Sequence, residues 1–341
     1  MANRYWVGGS AAWDAANVWS TTSGGSGGAS NPTSADDVFF DQNGPYTVSP
    51  SSTPAACRNM TISGSNVTID GAITCYGDLT AVSSATLGIT TNSYFFIFEG
   101  SGTITLNGAT CRYWVWIGLA SSATYSLGSA FTSTGRFDLE YGSLTTNNYS
   151  LTVGQFDARG SAGTKTLNLG TSTLTMTTAG TSCMLNSTST FNFTWSTGAQ
   201  MTFTNTGTVS VGLNGGGKLL PPVNFNNNGP VEVQNSNTFT DIRSTYVGAK
   251  TFNFTPGETN TFIAFNLRGT SGNLYTIKAT FTTAQATLRK SGAWYMGANS
   301  TNSGNNTGLT FSGGSGIDYL DVSYINGVSV GGQGNLFALL N

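Results

Sequence analysis

Apolar and small polar residues alternate with a period of two along most of the chain. The alternation is clear in residues 251–255, 261–267 and 274–278, and turn residues such as Pro256 and Gly257 separate these runs. Short runs with this period are typical of β-strands and are too short to form independent helices. The pattern therefore predicts a stack of short strands.

Similar runs recur between residues 60 and 249, with Gly, Ser and Asn turns between them. Their spacing is irregular, which argues against a solenoid with a short fixed repeat. We expect an all-β protein, a right-handed parallel β-helix or solenoid with irregular coils and an N-terminal β cap. Thr, Ser and Asn dominate the outward positions, and Asn side chains can form ladders up such a stack. Serial antiparallel β-sandwich domains are the alternative, which strand spacing does not exclude.

The chain divides by pattern into three segments. Residues 1–50 form an aromatic, glycine-rich cap or docking segment, residues 51–250 form the solenoid body, and residues 251–341 form a C-terminal β module. Three glycines and two prolines interrupt the strand pattern at residues 214–222, which we interpret as a long turn between coils.

Composition supports an ordered protein with few charges. Glycine contributes 45 of 341 residues and only 8% of residues are charged, yet 38% are hydrophobic, including 20 Phe, 13 Tyr and 7 Trp. That apolar content exceeds what a disordered chain carries. The net charge of −2 provides no basic surface for nucleic acid, so we expect no nucleic-acid partner.

Two regions carry a family resemblance. Residues 251–311, with the Trp- and Asn-rich segment 294–308, resemble the carboxy-terminal part of phage-encoded, virion-associated β-rich structural proteins. Residues 4–9, 13–14, 17–20 and 32–40 resemble the start of the same proteins and, more distantly, repeats of autotransporter passenger β-helices. The resemblance implies a virion component.

The start of the chain has no apolar signal-peptide core, so we expect synthesis in a host cytoplasm and release by lysis. The longest apolar runs, residues 94–98 and 113–117, are far shorter than a membrane helix requires. We therefore expect localisation in the virion, with no membrane partner.

Three function classes are compatible with these features. The first is a capsid decoration or cement protein that docks on the shell and braces it, with the major capsid protein and other virion proteins as partners. The alternative is a tail fibre or spike that binds a host-surface glycan, and the third is a spike that cleaves polysaccharide. Homo-oligomers, including trimers, fit all three classes.

Catalytic residue types are scarce. The chain contains no histidine, which excludes Ser-His-Asp and Cys-His arrangements, and we expect neither enzyme activity nor a cofactor. Carboxylate chemistry remains, because glycosidases use two carboxyl groups. Asp138 and Glu140 alternate onto one strand face, and Asp157, near Arg159, is a weaker candidate. We expect these charges to decorate a solvent-facing surface.

Metal binding has similarly weak support. Asp36, Asp37 and Asp41 lie close together but do not match the spacing of an EF-hand, and Asp318 and Asp321 have no motif around them. We expect structural roles and no metal site.

Four cysteines, Cys57, Cys75, Cys111 and Cys183, contain no C-x-x-C pair. We expect small buried thiols within the β stack, although Cys57 and Cys75 are candidates for neighbours on adjacent coils.

Three tryptophans, Trp6, Trp13 and Trp19, cluster near the amino terminus. They form either the core of a β cap that covers the first coil or the contact aromatics of a docking site. We expect the cap core, with docking through the same region as the second interpretation.

Overall fold

The computed structural model describes residues 1–50, 55–88, 95–120, 122–159, 163–185, 190–267, 273, 275–280, 286–290, 309–312 and 329–330. Within these ranges every regular element is a β-strand and no helix is present. The all-β prediction is confirmed.

The strands are short and follow one another closely. The first eighteen are β1 (Asn3–Trp6), β2 (Ala11–Ala12), β3 (Trp19–Ser20), β4 (Asp37–Phe40), β5 (Tyr46–Ser49), β6 (Ala55–Cys57), β7 (Met60–Ile62), β8 (Val67–Ile69), β9 (Ile73–Cys75), β10 (Leu79–Ala81), β11 (Thr86–Leu87), β12 (Phe95–Phe98), β13 (Ser101–Thr105), β14 (Thr110–Cys111), β15 (Trp114–Ile117), β16 (Ala123–Leu127), β17 (Phe131–Thr132) and β18 (Arg136–Leu139). The others are β19 (Gly142–Thr145), β20 (Leu151–Val153), β21 (Gln155–Asp157), β22 (Lys165–Asn168), β23 (Thr173–Met176), β24 (Gly180–Met184), β25 (Phe191–Thr194), β26 (Gln200–Phe203), β27 (Val211–Asn214), β28 (Leu219–Leu220), β29 (Val223–Phe225), β30 (Val231–Gln234), β31 (Thr238–Arg243), β32 (Lys250–Phe254), β33 (Thr259–Asn266), β34 (Tyr275–Ala279), β35 (Ala286–Lys290), β36 (Leu309–Ser312) and β37 (Ser329–Val330).

The chain folds into two compact units. The first contains Met1–Thr175 and Ser187–Ala199, and the second contains Met176–Asn186 and Gln200–Asn341. This division falls inside the segment predicted as the solenoid body. The segment boundaries predicted near residues 50 and 250 stay predictions.

In the first unit the strands stack in three parallel rows. Row A contains β4, β7, β10, β13, β16, β19, β22 and β25; row B contains β2, β5, β8, β11 and β14; and row C contains β6, β9, β12, β15, β18 and β21. A parallel bridge between Cys111 and Ser133 links row B to the β17–β20 pair. Consecutive strands enter successive rows and return above their starting point. The unit is a parallel β-helix, consistent with the right-handed form that parallel crossovers nearly always take.

Inward side chains of successive coils stack at the same positions. In row A, Val38 pairs with Met60, Met60 with Leu79, Leu79 with Ile104 and Ile104 with Leu127. All five side chains are fully buried. Burying each one contributes roughly 1.5–3 kcal/mol, so the stack of coils supplies a continuous core.

Outward positions carry the hydroxyl side chains that the sequence pattern predicts. In row B, Thr47, Thr68, Thr86 and Thr110 lie in register on four successive coils. Their β-branched side chains suit a pleated, half-buried surface.

Asparagine occupies several of the corners between rows. Asn107 and Asn147 have φ angles of 49° and 52°, a conformation that Asn adopts more readily than most residues. Their Nδ2 atoms donate to the carbonyl oxygens of Ala81 and Leu127, each at 3.0 Å, on the preceding coil. These amides link successive coils, as the predicted ladders do.

A β cap covers the first coil, as predicted. β1 pairs in parallel with β4 and antiparallel with β3, so the chain reverses direction at this end of the unit. The antiparallel strand occupies the edge of row A that would otherwise stay unpaired.

The second unit is a solenoid with two rows of parallel strands. One row contains β24, β27, β30, β32 and β34, and the other contains β26, β29, β31, β33, β35, β36 and β37, with β28 pairing with β31. Val211, Val231 and Phe252 lie in register and are fully buried. Asn237 Nδ2 donates to Asn260 Oδ1 at 2.8 Å, which forms a buried amide ladder between coils.

All four cysteines are buried and unbridged, which confirms that prediction. Cys57 and Cys75 are directly paired on adjacent coils. Residues 294–308, Asp318 and Asp321 lie outside the described residues.

Candidate functional site

The tryptophans predicted as cap core or docking aromatics lie in the interior of the cap. Trp6 and Trp19 are 0% exposed and Trp13 is 4% exposed. Trp19 contacts the other two rings edge to face, with centroid distances of 5.0 Å to Trp6 and 4.7 Å to Trp13. Their rings therefore offer no face to a partner. A docking role for the surrounding surface stays a prediction.

A second aromatic cluster lies on the outer face of row C. Phe95 of β12 and Trp114 and Trp116 of β15 are half-buried, and we call them the outer aromatic patch. Phe95 stacks on Trp116 with centroids 4.2 Å apart and an interplanar angle of 15°. Its centroid lies 5.6 Å from that of Trp114. The three rings together form a half-exposed aromatic surface.

The local sequence explains why these rings point outward. In β15, Val115 and Ile117 fill the core, so strand alternation sends Trp114 and Trp116 to the opposite face. In β12, Phe96 and Phe98 take the core positions and leave Phe95 on the outer face. Both strands are therefore apolar on two faces.

The next two strands of row C carry four charged residues beside the patch. Arg136 and Asp138 belong to β18, Asp157 ends β21 and Arg159 follows it, and we call these four the charged network. Register pairs Trp116 with Asp138, and Asp138 with Asp157. The two carboxylates therefore stack on adjacent coils.

Hydrogen bonds connect the network to the patch. Trp116 Nε1 donates to Asp138 Oδ2 at 2.5 Å, and Arg136 Nε donates to Asp138 Oδ1 at 2.6 Å. Arg136 Nη2 lies 2.9 Å from Asp157 Oδ2, and Arg159 Nη2 lies at the same distance from that oxygen. The Arg136 guanidinium also lies over the Trp114 ring, 5.9 Å from its centroid.

Burial separates the two kinds of charge. The side chains of Asp138 and Asp157 are 1% and 2% exposed, whereas those of Arg136 and Arg159 are 28% and 47% exposed. The carboxylates therefore lie beneath the guanidinium groups and orient them. The polar atoms that reach solvent in this network are N–H donors.

The same burial changes the acidity of Asp138. Desolvation raises the pKa of its carboxyl to about 7, against the opposing effect of Arg136, and the nearby Asp157 carboxylate raises the pKa further. Burial would lower the pKa of Arg136, but the Asp138 and Asp157 carboxylates outweigh it and raise that pKa.

The predicted carboxylate pair is arranged differently from the expectation. Asp138 and Asp157 are buried acceptors of arginine N–H groups, so the prediction of solvent-facing carboxylates is wrong for these two. Glu140 lies just beyond the end of β18 and is half-buried. Register brings Asp157 rather than Glu140 directly opposite Asp138.

The candidate metal ligands at residues 36–41 have separate partners. Asp36 accepts a hydrogen bond from Thr33 Oγ1 at 2.9 Å, Asp37 forms an ion pair with Arg58, and Asp41 accepts one from Gln42. In the part of the chain that the structure describes, no group of three His, Cys, Asp or Glu side chains is placed to hold a metal ion.

No family model matches the chain, and no curated protein or solved structure is significantly similar to it. The resemblance to phage structural proteins therefore stays a prediction. Among the residues that the structure describes, no helix has the length and apolar character needed to span a membrane.

Sequence reasoning missed the outer aromatic patch. It treated residues 94–98 and 113–117 only as apolar runs too short to span a membrane. A run of consecutive apolar residues that forms a strand must place apolar side chains on both faces, and this feature could have identified the patch. Only one face of a solenoid strand is needed for the core, so the other face carries exposed aromatic rings.

Proposed function

We propose that this protein is a virion appendage, a tail fibre or spike, that binds a glycan through the outer aromatic patch without cleaving it. The observation that carries the proposal is the stacked pair Phe95–Trp116, half-exposed beside Trp114 and the charged network. Exposed aromatic platforms are the feature that favours this class over a capsid decoration protein.

Sugar rings suit such a surface because one face of a pyranose is formed mainly by C–H groups. These groups pack against aromatic faces, while the ring hydroxyls need hydrogen-bond partners at the edge. The outer aromatic patch provides the apolar surface, and Arg136 and Arg159 provide donors at its edge. The site thus combines stacking with directional hydrogen bonds.

The contacts of the two buried carboxylates support binding without hydrolysis. A glycosidase needs one carboxyl group to donate a proton and another to act as base or nucleophile at the substrate. Asp138 and Asp157 instead accept hydrogen bonds from Arg136, Trp116 and Arg159. Their contribution in this proposal is to position the arginines.

Glycan binding by one patch is expected to be weak, so the proposal includes several copies. A homo-oligomer, such as a trimer, would present several patches and raise the apparent affinity through avidity. The role of capsid decoration protein stays a prediction. Cryo-EM of the particle that encodes the chain separates the two roles by the location of the chain at the tail or on the shell.

The test is glycan binding by the full chain, measured by biolayer interferometry on immobilised polysaccharides. Phe95→Ala and Trp114→Ala should each weaken binding up to about tenfold, since stacking contacts contribute up to about 1.5 kcal/mol each. The matched control is Phe39→Ala, which removes a half-buried ring stacked on Tyr5 in row A. No binding to any glycan, or equal losses in all three variants, would contradict the proposal.

A further inference from the structure

The two arginines of the charged network are fixed in direction but remain accessible. Asp157 accepts from Arg159 through Nε at 3.0 Å and Nη2 at 2.9 Å, a two-point contact that holds the guanidinium plane. Arg136 spans both carboxylates through Nε and Nη2. In the described residues, the Nη1 atoms of both arginines are left without a hydrogen-bond acceptor. Two guanidinium groups held by buried carboxylates therefore remain partly exposed beside the outer aromatic patch.

We infer that the outer aromatic patch and the charged network together bind an anionic polysaccharide, with Arg136 and Arg159 contacting the carboxylate of an acidic sugar. This inference rests on the proposed glycan-binding function. Asp138 and Asp157 are positioning residues in it, because they act through the arginines. The ligand class follows from the sign and accessibility of the polar groups.

The geometry places the sugar ring and its charge on neighbouring strands. Trp114 lies opposite Arg136 across the strand pair, since Val115 pairs with Phe137. Adjacent strands are about 4.8 Å apart and the Arg136 guanidinium lies 5.9 Å from the Trp114 ring centroid, so a sugar packed against the outer aromatic patch brings an edge substituent to the guanidinium. Planar guanidinium groups bind carboxylates through paired, charge-assisted hydrogen bonds.

The two carboxylates of the charged network are 2% exposed or less, so they cannot accept hydrogen bonds from the hydroxyl groups of a neutral sugar. In the accessible part of the network, the hydroxyl groups of a neutral sugar find only N–H donors. A sugar carboxylate accepts hydrogen bonds from those donors and also pairs with the positive charge of the guanidinium groups. Anionic ligands are therefore favoured over neutral ones of the same shape.

The affinity for an anionic glycan should also depend on pH. The charged groups that face Asp138 are Arg136 on its own strand and Asp157 on the next, and Glu140 also acts on Arg136. A bound sugar carboxylate adds negative charge beside this cluster and favours the protonated form of Asp138. Binding of an anionic glycan should therefore strengthen as the pH falls from 8 to 6, and Asp138→Asn should reduce that dependence.

The experiment is isothermal titration of the full chain with polygalacturonate, hyaluronate and polysialate, and with two neutral polymers, methyl-esterified polygalacturonate and dextran. At least one acidic polymer should bind at least tenfold more tightly than either neutral one, and added salt should weaken that binding. Arg159→Gln should weaken it about tenfold or more, and Arg159→Lys should lose part of it, because lysine keeps the charge without the planar fork.

The matched control is Arg243→Gln, which removes a similarly exposed arginine paired with Asp241 in the second unit. This variant should bind like the unsubstituted protein.

Three results would overturn the inference. Equal binding of neutral and acidic polymers removes the anionic preference but leaves the glycan-binding function intact. Binding of none of the five polymers removes both. Burial of the patch by a second copy of the chain, detected as an oligomer that Trp114→Ala dissociates in sedimentation, also removes both.

Discussion

Two aromatic clusters in the first unit have similar composition and opposite environments. Trp6, Trp13 and Trp19 pack against one another in the cap and are almost completely buried, whereas Phe95, Trp114 and Trp116 stack on the outer face of row C and remain half-exposed. The cap needs its rings because the end of a solenoid has no further coil to cover it. The coils at row C are already filled by Phe96 and Val115, so the outer rings are surplus to the core. Aromatic content alone therefore does not identify a binding surface.

The largest expected effect is on the buried cluster. Trp19→Ala removes a fully buried ring that contacts both other tryptophans, so we expect the free energy of unfolding to fall by about 3–5 kcal/mol. Trp114→Ala, in the exposed cluster, should cost about 1 kcal/mol or less. Urea unfolding followed by circular dichroism measures both. Equal losses would mean that the two clusters do not differ in the way described.

The charged network offers the next largest effect. Arg136→Met leaves the buried carboxylates of Asp138 and Asp157 short of a partner, and we expect a loss of about 3 kcal/mol in the free energy of unfolding. Arg58→Met breaks the more exposed pair with Asp37 and should cost much less, because solvent screens that pair. Thermal and urea unfolding of the two variants tests the difference. A loss at Arg58 as large as at Arg136 would contradict a network set apart by burial.

The two tryptophan variants should rank in the opposite order when glycan binding is measured instead of stability. Trp114→Ala should weaken binding up to about tenfold with little change in stability. Trp19→Ala should leave the affinity of the folded fraction unchanged, because its ring does not reach the surface. Biolayer interferometry at a temperature where both variants are folded separates the effects. A binding loss in Trp19→Ala that persists there would place the cap in the binding site.

The two units should also differ in how their stability depends on pH. Burial raises the pKa of Asp138 to about 7, from an ordinary value of 3.8, so the folded first unit binds more protons than the unfolded chain between these values. Its stability should fall as the pH rises from 4 to 7, by at most about 1.4 kcal/mol per pH unit. Asp138→Asn should flatten this slope.

In the second unit, burial lowers the pKa of Lys250 to about 7, from an ordinary value of 10.5. The unfolded chain binds more protons between these values, so stability should rise as the pH increases from 7 to 10. Lys250→Met should remove that rise. Urea unfolding across pH 4–10 measures both slopes, and parallel slopes in the two units would contradict the opposite signs.

Much of the fold could be predicted from local pattern. Two-residue alternation predicts strands such as β7 and β8, and Asn residues such as Asn107 predict corners, because both depend on side chains close in sequence. The cap could also be predicted, since an open coil end needs a cover. The candidate site could not, because Asp138 and Asp157 meet only through the register of adjacent coils.

The sequence by itself determined that this chain forms short strands with turn residues between them, buries its thiols and stacks its apolar positions. These properties follow from the period of two and from the backbone preferences of Gly and Asn. The tertiary structure alone decided which aromatic residues face solvent and which charges meet. Coil length sets the register between strands, and a shift of one residue would send Trp116 inward and separate Asp138 from Asp157.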